Sequence, residues 1–290
     1  SIPLIDLAID IDAGSRWDPK GLEGLSAMTQ SMIFKGTSAL SGQEEMSEQQ
    51  TSEFIAKKAL VKSSSNDRDK TSLRFRFLSD SEIRESVLDF IARVLAFPSF
   101  NTEILEREKN NTISRLEESL TKPQTVAIKN LWKSMYPDHP YGRSISSQSI
   151  SSISEKDLMS FHQTFWTPSR TTLSIVGNIS FTEAKKLANK VTEPLSNRIS
   201  TTNLSTSLKF QQLLPPVTVG GKTVRKIFHP AAQSHIWMGL PVLARHETDH
   251  IFPMLVANHI LGGSGFGSRL TKEIREFILV NKLKNVSLLK

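Results

Sequence analysis

Residues 4–12, "LIDLAIDID", alternate without a break: Ile5, Leu7, Ile9 and Ile11 fall on one face, and Asp6, Ala8, Asp10 and Asp12 on the other. That period of two predicts a strand with one buried face. "TSLRFRFLS" alternates in the same way, with Leu73, Phe75 and Phe77 inward. Between them, "GLSAMTQSMIFKG" (stopped near Gly36) and "SEQQTSEFIAKKAL" carry helical spacing. "SEIRESVLDFIARVLAF" predicts a helix capped by Ser79 or Asp80 and ended by Pro98. A long charged helix is predicted near 101–120 and another after Pro123. The rigid loop "YPDHPYG" and a helix near 155–166 follow, then the strand "TTLSIVG" and a helix from about Thr182 to Val191. The order strand, helix, helix, strand pair, helices, strand, helix predicts an α+β fold with helices packed on one side of an antiparallel sheet.

The pattern lapses at "SNRISTTNLSTS" (196–207), which is poor in large apolar residues and is followed by "LLPPV". This predicts a linker at 196–216 between a first lobe, 1–195, and a second unit, 217–290. The second unit is predicted to open with paired strands around Gly220–Gly221 and "SHIWMGLP". A helix from about Pro253 to Leu261, a glycine-rich loop and a final helix complete it.

Composition narrows the chemistry. The 290 residues are ample for a large core, and no apolar run approaches the roughly 20 residues of a spanning helix, so no integral membrane segment is expected. With no cysteine, disulfides and thiolate metal sites are excluded, leaving His, Asp and Glu as strong ligands. The net charge of +7 is spread among acidic residues, as in "EREKNNTISRLEE", without a basic tract or base-stacking aromatics, so nucleic acid is not an expected partner. The chain begins at Ser1 without Met. A leader removed before it would fit a periplasmic or secreted location, but the residues themselves do not set the compartment.

The first candidate helix holds "GLSAMTQSMIFKGT", which resembles the zinc-binding signature of the pitrilysin/insulinase family, the inverted zincins. In catalytic members that helix carries His-x-x-Glu-His between a Gly-Leu lead and an exit like "FKGT". Residues i and i+4 share a helix face, so two histidines reach one zinc while the Glu activates its water. Here the three positions are Ala27, Gln30 and Ser31, and the match in "EREKNNTISRLEE" puts the third ligand near Arg115. Ala27 has no lone pair, an amide is no base near neutral pH, and a guanidinium repels a cation. The resemblance extends over most of residues 2–277, through "YPDHPYG", "FHQTFWTPSRTTLSIVGNIS" and "ILGGSGFGSRLTKEIRE", and stops at "FILVNKLKNVSLLK". It implies one complete lobe and a truncated second lobe of the same type.

By that resemblance, zinc-less members pair with a catalytic homologue, and the two close around an unfolded peptide. The cofactor expected here is none, with zinc carried by the partner. The resemblance assigns peptide contact to Arg275 and to the loop of Gly262, Gly263, Gly265 and Gly267, while Lys282 replaces the tyrosine expected seven residues after the arginine. Arg275 fits equally well a helix-surface residue paired with Glu273 or Glu276. The glycines fit equally well a helix stop, with Ser268 capping the next helix. "RHETDHIF" supplies a formal His246-Glu247-x-x-His250 zincin match, but Pro253 argues for a helix that starts there, leaving 246–250 in a loop. The reading is a non-catalytic, peptide-binding subunit of a metallopeptidase. The alternatives are a scaffold or core-type subunit without a proteolytic role, an active enzyme using His246 and His250, or a degenerate product without function.

Overall fold

The computed structural model of the chain describes residues 3–39, 44–199, 214–218, 221–231, 233–244, 247–263 and 265–276. The N-terminal alternation forms β1 (Leu4–Ile11), in which Ile5, Leu7, Ile9 and Ile11 are all buried. β1 lies between β3 (Thr71–Leu78) and β4 (Thr171–Gly177), antiparallel to both. β2 (Val61–Asn66) pairs with the far side of β3, giving the order β2-β3-β1-β4.

One face of this sheet meets helices and the other meets water. On the outer face, Asp6 sits directly opposite Arg76 and bonds it at 2.7 Å, while Asp10 bonds Arg74 and Lys70 at 2.8 Å each. Burial would raise the Asp10 pKa, but the bonds from Arg74, Lys70 and Ser72 outweigh it and hold the carboxyl well below its usual range. Such exposed pairs fix cross-strand identity more than they stabilise the sheet, because water competes for both charges.

On the inner face, α1 (Leu25–Met32) packs against α7 (Glu155–Phe165), and α3 (Ser81–Ala96) against α8 (Phe181–Ile199). Each start is set locally. Asp80 accepts the Glu82 and Ile83 amides at 3.1 Å, and Ser154 with Asp157 forms a capping box. Val87, Ile91, Val94 and Leu95 of α3 join Phe161, Phe165 and Trp166 in one core. His162 lies in that core with Nε2 bonded to the Leu95 carbonyl at 2.8 Å, a structural histidine. Two further helices, α4 (Thr102–Leu120) and α5 (Pro123–Met135), fall where the sequence predicts them, as does the shorter α2 (Glu48–Lys57). A one-turn helix, α6 (Ser147–Ser151), precedes α7.

Three features depart from the expectations. α8 continues to Ile199, past Val191 and into the predicted linker, because Leu187, Val191 and Leu195 form one buried stripe that carries it across Pro194. Residues 221–231 and 233–239 hold no strand. A strand needs ladder partners, and none is supplied here among the described residues, so Ile227, Phe228, Ile236 and Met238 stay exposed. The chain divides into a unit Ser1–Gly239 and a unit Leu240–Lys290. In the second, α9 (Thr248–Asn258) starts five residues before Pro253. Glu247 organises that start, its carboxylate accepting the Ala244 amide at 2.9 Å and its carbonyl the His250 amide at 3.3 Å. Pro253 forfeits only the bond to the Asp249 carbonyl.

Candidate functional site

The helix that carries the signature is fixed at its start by Asp18. This carboxylate is buried, and its two oxygens accept the Gly24 and Ser26 amides at 2.8 Å each, two of the N–H groups that a helix start leaves unpaired. Burial pushes the Asp18 pKa up to about 7, against the lowering effect of those two amides and the Ser26 hydroxyl. Gly24 has φ of 106°, and a Cβ there would stand 2.5 Å from Ile150 Cδ1, so the turn into α1 requires glycine.

α1 buries Leu25, Met28 and Met32 and turns Ala27, Gln30 and Ser31 away from the core. These are positions i, i+3 and i+4, which share one face as the signature demands. Gln30 and Ser31 line a cleft of about 250 Å³, together with Phe34 and Lys35 just beyond the helix. Glu48, Ser52 and Ile55 of α2 form a second wall, and Lys62 and Ser64 of β2 a third.

The charges here are cationic in balance. Lys35 bonds Glu48 at 2.8 Å and Glu108 at 3.2 Å, and Arg107 bonds Glu48 at 2.8 Å and Glu108 at 3.2 Å. Burial would lower the Lys35 pKa, but the bonds from both carboxylates raise it. Lys62 has no carboxylate within ion-pair reach among the described residues; its ammonium lies 4.4 Å from the centre of the Phe34 ring. Burial first, and then the neighbouring Lys35 charge, lower the Lys62 pKa. The polar groups are already partly used. Gln30 Nε2 donates to Ser64 Oγ at 2.5 Å, Ser31 Oγ donates to the Met28 carbonyl at 2.8 Å, and Ser52 Oγ to the Glu48 carbonyl at 3.0 Å.

This donor set does not fit zinc. The ion takes imidazole, thiolate or carboxylate ligands, whereas the cleft offers one carboxylate, already bonded to two cations, among an amide, hydroxyls and two ammonium groups. Among the described residues no three His, Asp or Glu side chains converge as a metal site. Arg115 lies on an exposed face of α4, where its Nε donates to the Asn111 carbonyl of its own helix at 3.1 Å, and it does not line the cleft.

The remaining sequence candidates belong to the second unit, whereas the cleft belongs wholly to the first. Gly262 and Gly263 lie in a π-helical turn, His259–Gly263, and Gly265 and Gly267 in a 3-10 turn, Gly265–Gly267, with Gly265 at φ of 61°. Ser268 Oγ accepts the Thr271 amide at 3.2 Å and so caps the next turn, Thr271–Glu276, whose backbone includes Arg275. His250 is exposed in the first turn of α9, and His246 lies outside the described residues. The helix starts after His246, so the pair does not have the continuous helix that a zincin motif needs.

Sequence reasoning missed Lys35, Lys62 and Asp18. The lysines come from separate segments, and no spacing rule links them to the signature. Asp18 stands six and eight residues ahead of the amides it accepts, outside the usual capping interval.

Residues 3–149 match the family model described as Insulinase (Peptidase family M16), and residues 152–277 the model described as Peptidase M16 inactive domain. The chain is 25% identical over 275 residues to an uncharacterized zinc protease, YmxG, of Bacillus subtilis (strain 168), covering 94% of this chain and 62% of that one. It is 23% identical over 273 residues to a probable mitochondrial-processing peptidase subunit beta of Arabidopsis thaliana, covering 91% and 49%. The chain thus spans roughly half to three fifths of the length of these relatives. A solved structure, the peptidase M16 inactive domain from Pseudomonas fluorescens, shares the fold with a TM-score of 0.71 at 24% identity, over 95% of this chain and 63% of that one. With two adjoining family models matched and the signature helix in place, the chain belongs to the insulinase family of peptidases, M16.

Proposed function

We propose that this chain is a non-catalytic member of the family that pairs with a zinc-bearing homologue and contributes surface for binding an unfolded peptide. One observation carries the reading: the face of α1 that the signature reserves for metal ligands borders a cleft where Lys35 and Lys62 stand. Loss of ligands alone fits neutral decay, but a net positive charge beside the same face, carried by Lys62, opposes a metal ion. The Asp18 clamp and the α1–α7 packing hold that face in place, which supports its use as a binding surface. Similarity to a protein named as a subunit, the beta subunit of a mitochondrial-processing peptidase, favours an assembly of more than one chain.

In this reading the metal and the water it activates belong to the partner, and this chain binds and orients peptide. Arg275 and the loop of Gly262, Gly263, Gly265 and Gly267 are the second-unit positions assigned to that contact. The test is peptidase activity of the chain alone, of a zinc-bearing homologue alone, and of the two mixed. The expected result is no cleavage by this chain and a gain on mixing. A stable complex with no gain would replace the reading with a purely structural subunit.

A further inference from the structure

The cleft beside α1 has its own chemistry once zinc is set aside. β2 is an edge strand, paired on one side by β3, and its inner face carries Lys62, Ser64 and Asn66. Lys62 is opposite Phe75 and Ser64 opposite Leu73, both core positions of β3. Same-face neighbours on a strand stand about 6.8 Å apart, so the ammonium and the hydroxyl flank a space of side-chain size.

The charge count selects a ligand. Lys35 and Arg107 are bonded to the same two carboxylates, Glu48 and Glu108, whereas Lys62, among the described residues, has the Phe34 ring beneath it and no carboxylate. One positive charge is therefore uncommitted. A phosphate dianion would meet a single free cation close to Glu48, a poor match. One carboxylate balances it. The available hydrogens agree with this. Ser64 Oγ accepts from Gln30 and so keeps its own proton to donate, and Gln30 keeps a second amide hydrogen. Phe34 and Ile55 offer apolar contact for methylene groups behind the carboxylate.

We propose that this cleft is a receptor for a peptide carboxylate, an acidic side chain or a chain end, held by Lys62 with Ser64 and Gln30 as hydrogen-bond donors. The proposal rests on the peptide-binding reading above and adds a preference to it: acidic peptides over neutral ones. Among the described residues Lys62 has no carboxylate partner, and a bound carboxylate supplies the counter-charge.

The experiment is fluorescence anisotropy with three labelled nonapeptides of Gly, Ser, Ala and Val. One has a central Glu and an amidated end, one a central Gln and an amidated end, and one the Gln sequence with a free C-terminal carboxylate. The intact chain is expected to bind a carboxylate-bearing peptide about tenfold tighter than the amidated Gln peptide, the scale of one hydrogen bond to a charged group. Whether the Glu peptide or the free-acid peptide shows the gain identifies the source of the carboxylate. Lys62→Met should remove the preference by bringing the carboxylate-bearing peptides down to the affinity of the amidated Gln peptide, and Lys62→Arg should retain it. Measurable but equal binding of all three peptides overturns the carboxylate receptor and leaves the peptide-binding reading intact. A preference that survives Lys62→Met overturns it too. Absence of binding by any of the three overturns both.

Discussion

β1 and β2 flank the same strand, β3, yet they meet the helical layer in opposite ways. The inner face of β1 carries four aliphatic side chains with essentially no exposure, whereas the inner face of β2 carries a lysine, a serine and an asparagine. Residues facing helices at the centre of the sheet are a core, and residues in the corresponding position at its edge are the wall of a cleft. Position within the sheet, rather than the face alone, therefore decides whether a side chain supplies stability or chemistry.

The contrast can be broken most severely at its centre. Leu7 sits between Phe75 and Ile175 on the neighbouring strands. Leu7→Ala is expected to cost about 2–5 kcal/mol, measured by urea denaturation. Next in size is the clamp that aims α1. Burial pushes the Asp18 carboxyl up to about 7 in the folded chain, above the roughly 3.9 of an aspartate in an unfolded chain, so the fold holds an extra proton between these values. Its contribution is complete below about pH 4 and is lost as pH rises through about 7, on the order of 4 kcal/mol in all. Asp18→Asn should flatten that pH dependence, and an unfolding profile unchanged by the substitution would refute the assignment. At the edge of the sheet the expected stability effects are small. Lys62→Met should shift stability by no more than about 0.5 kcal/mol while erasing the carboxylate preference, which separates cleft from core in one variant. Smallest is the outer face, where Arg76→Ala should leave the urea unfolding midpoint nearly unchanged, and the remaining difference should shrink further at 1 M salt.

The same contrast explains what the sequence made legible. β1 and β3 were readable because burying one face imposes alternation, and α3 because Asp80 and Pro98 bracket an apolar stripe. β2, "VKSSSN", alternates in no hydrophobic sense, since neither of its faces is committed to the core. Pro253 points to a helix start in the sequence, whereas Glu247 organises the turn from which α9 begins five residues earlier, at Thr248. In the site, the shared face of Ala27, Gln30 and Ser31 followed from helical spacing alone. Lys62 reaches the cleft through the pairing of β2 with β3, a tertiary fact with no local signal. Arg115 was matched to a ligand position by resemblance and proved to be an exposed residue outside the cleft.

The most direct test of the account is the zinc content of the purified chain after dialysis against metal-free buffer, read by plasma mass spectrometry. The account predicts near zero, because the face that would hold zinc presents Ala27, Gln30 and Ser31 beside two lysines. About one zinc per chain, lost on replacing His250 with Ala, would contradict it and make this chain an enzyme in its own right.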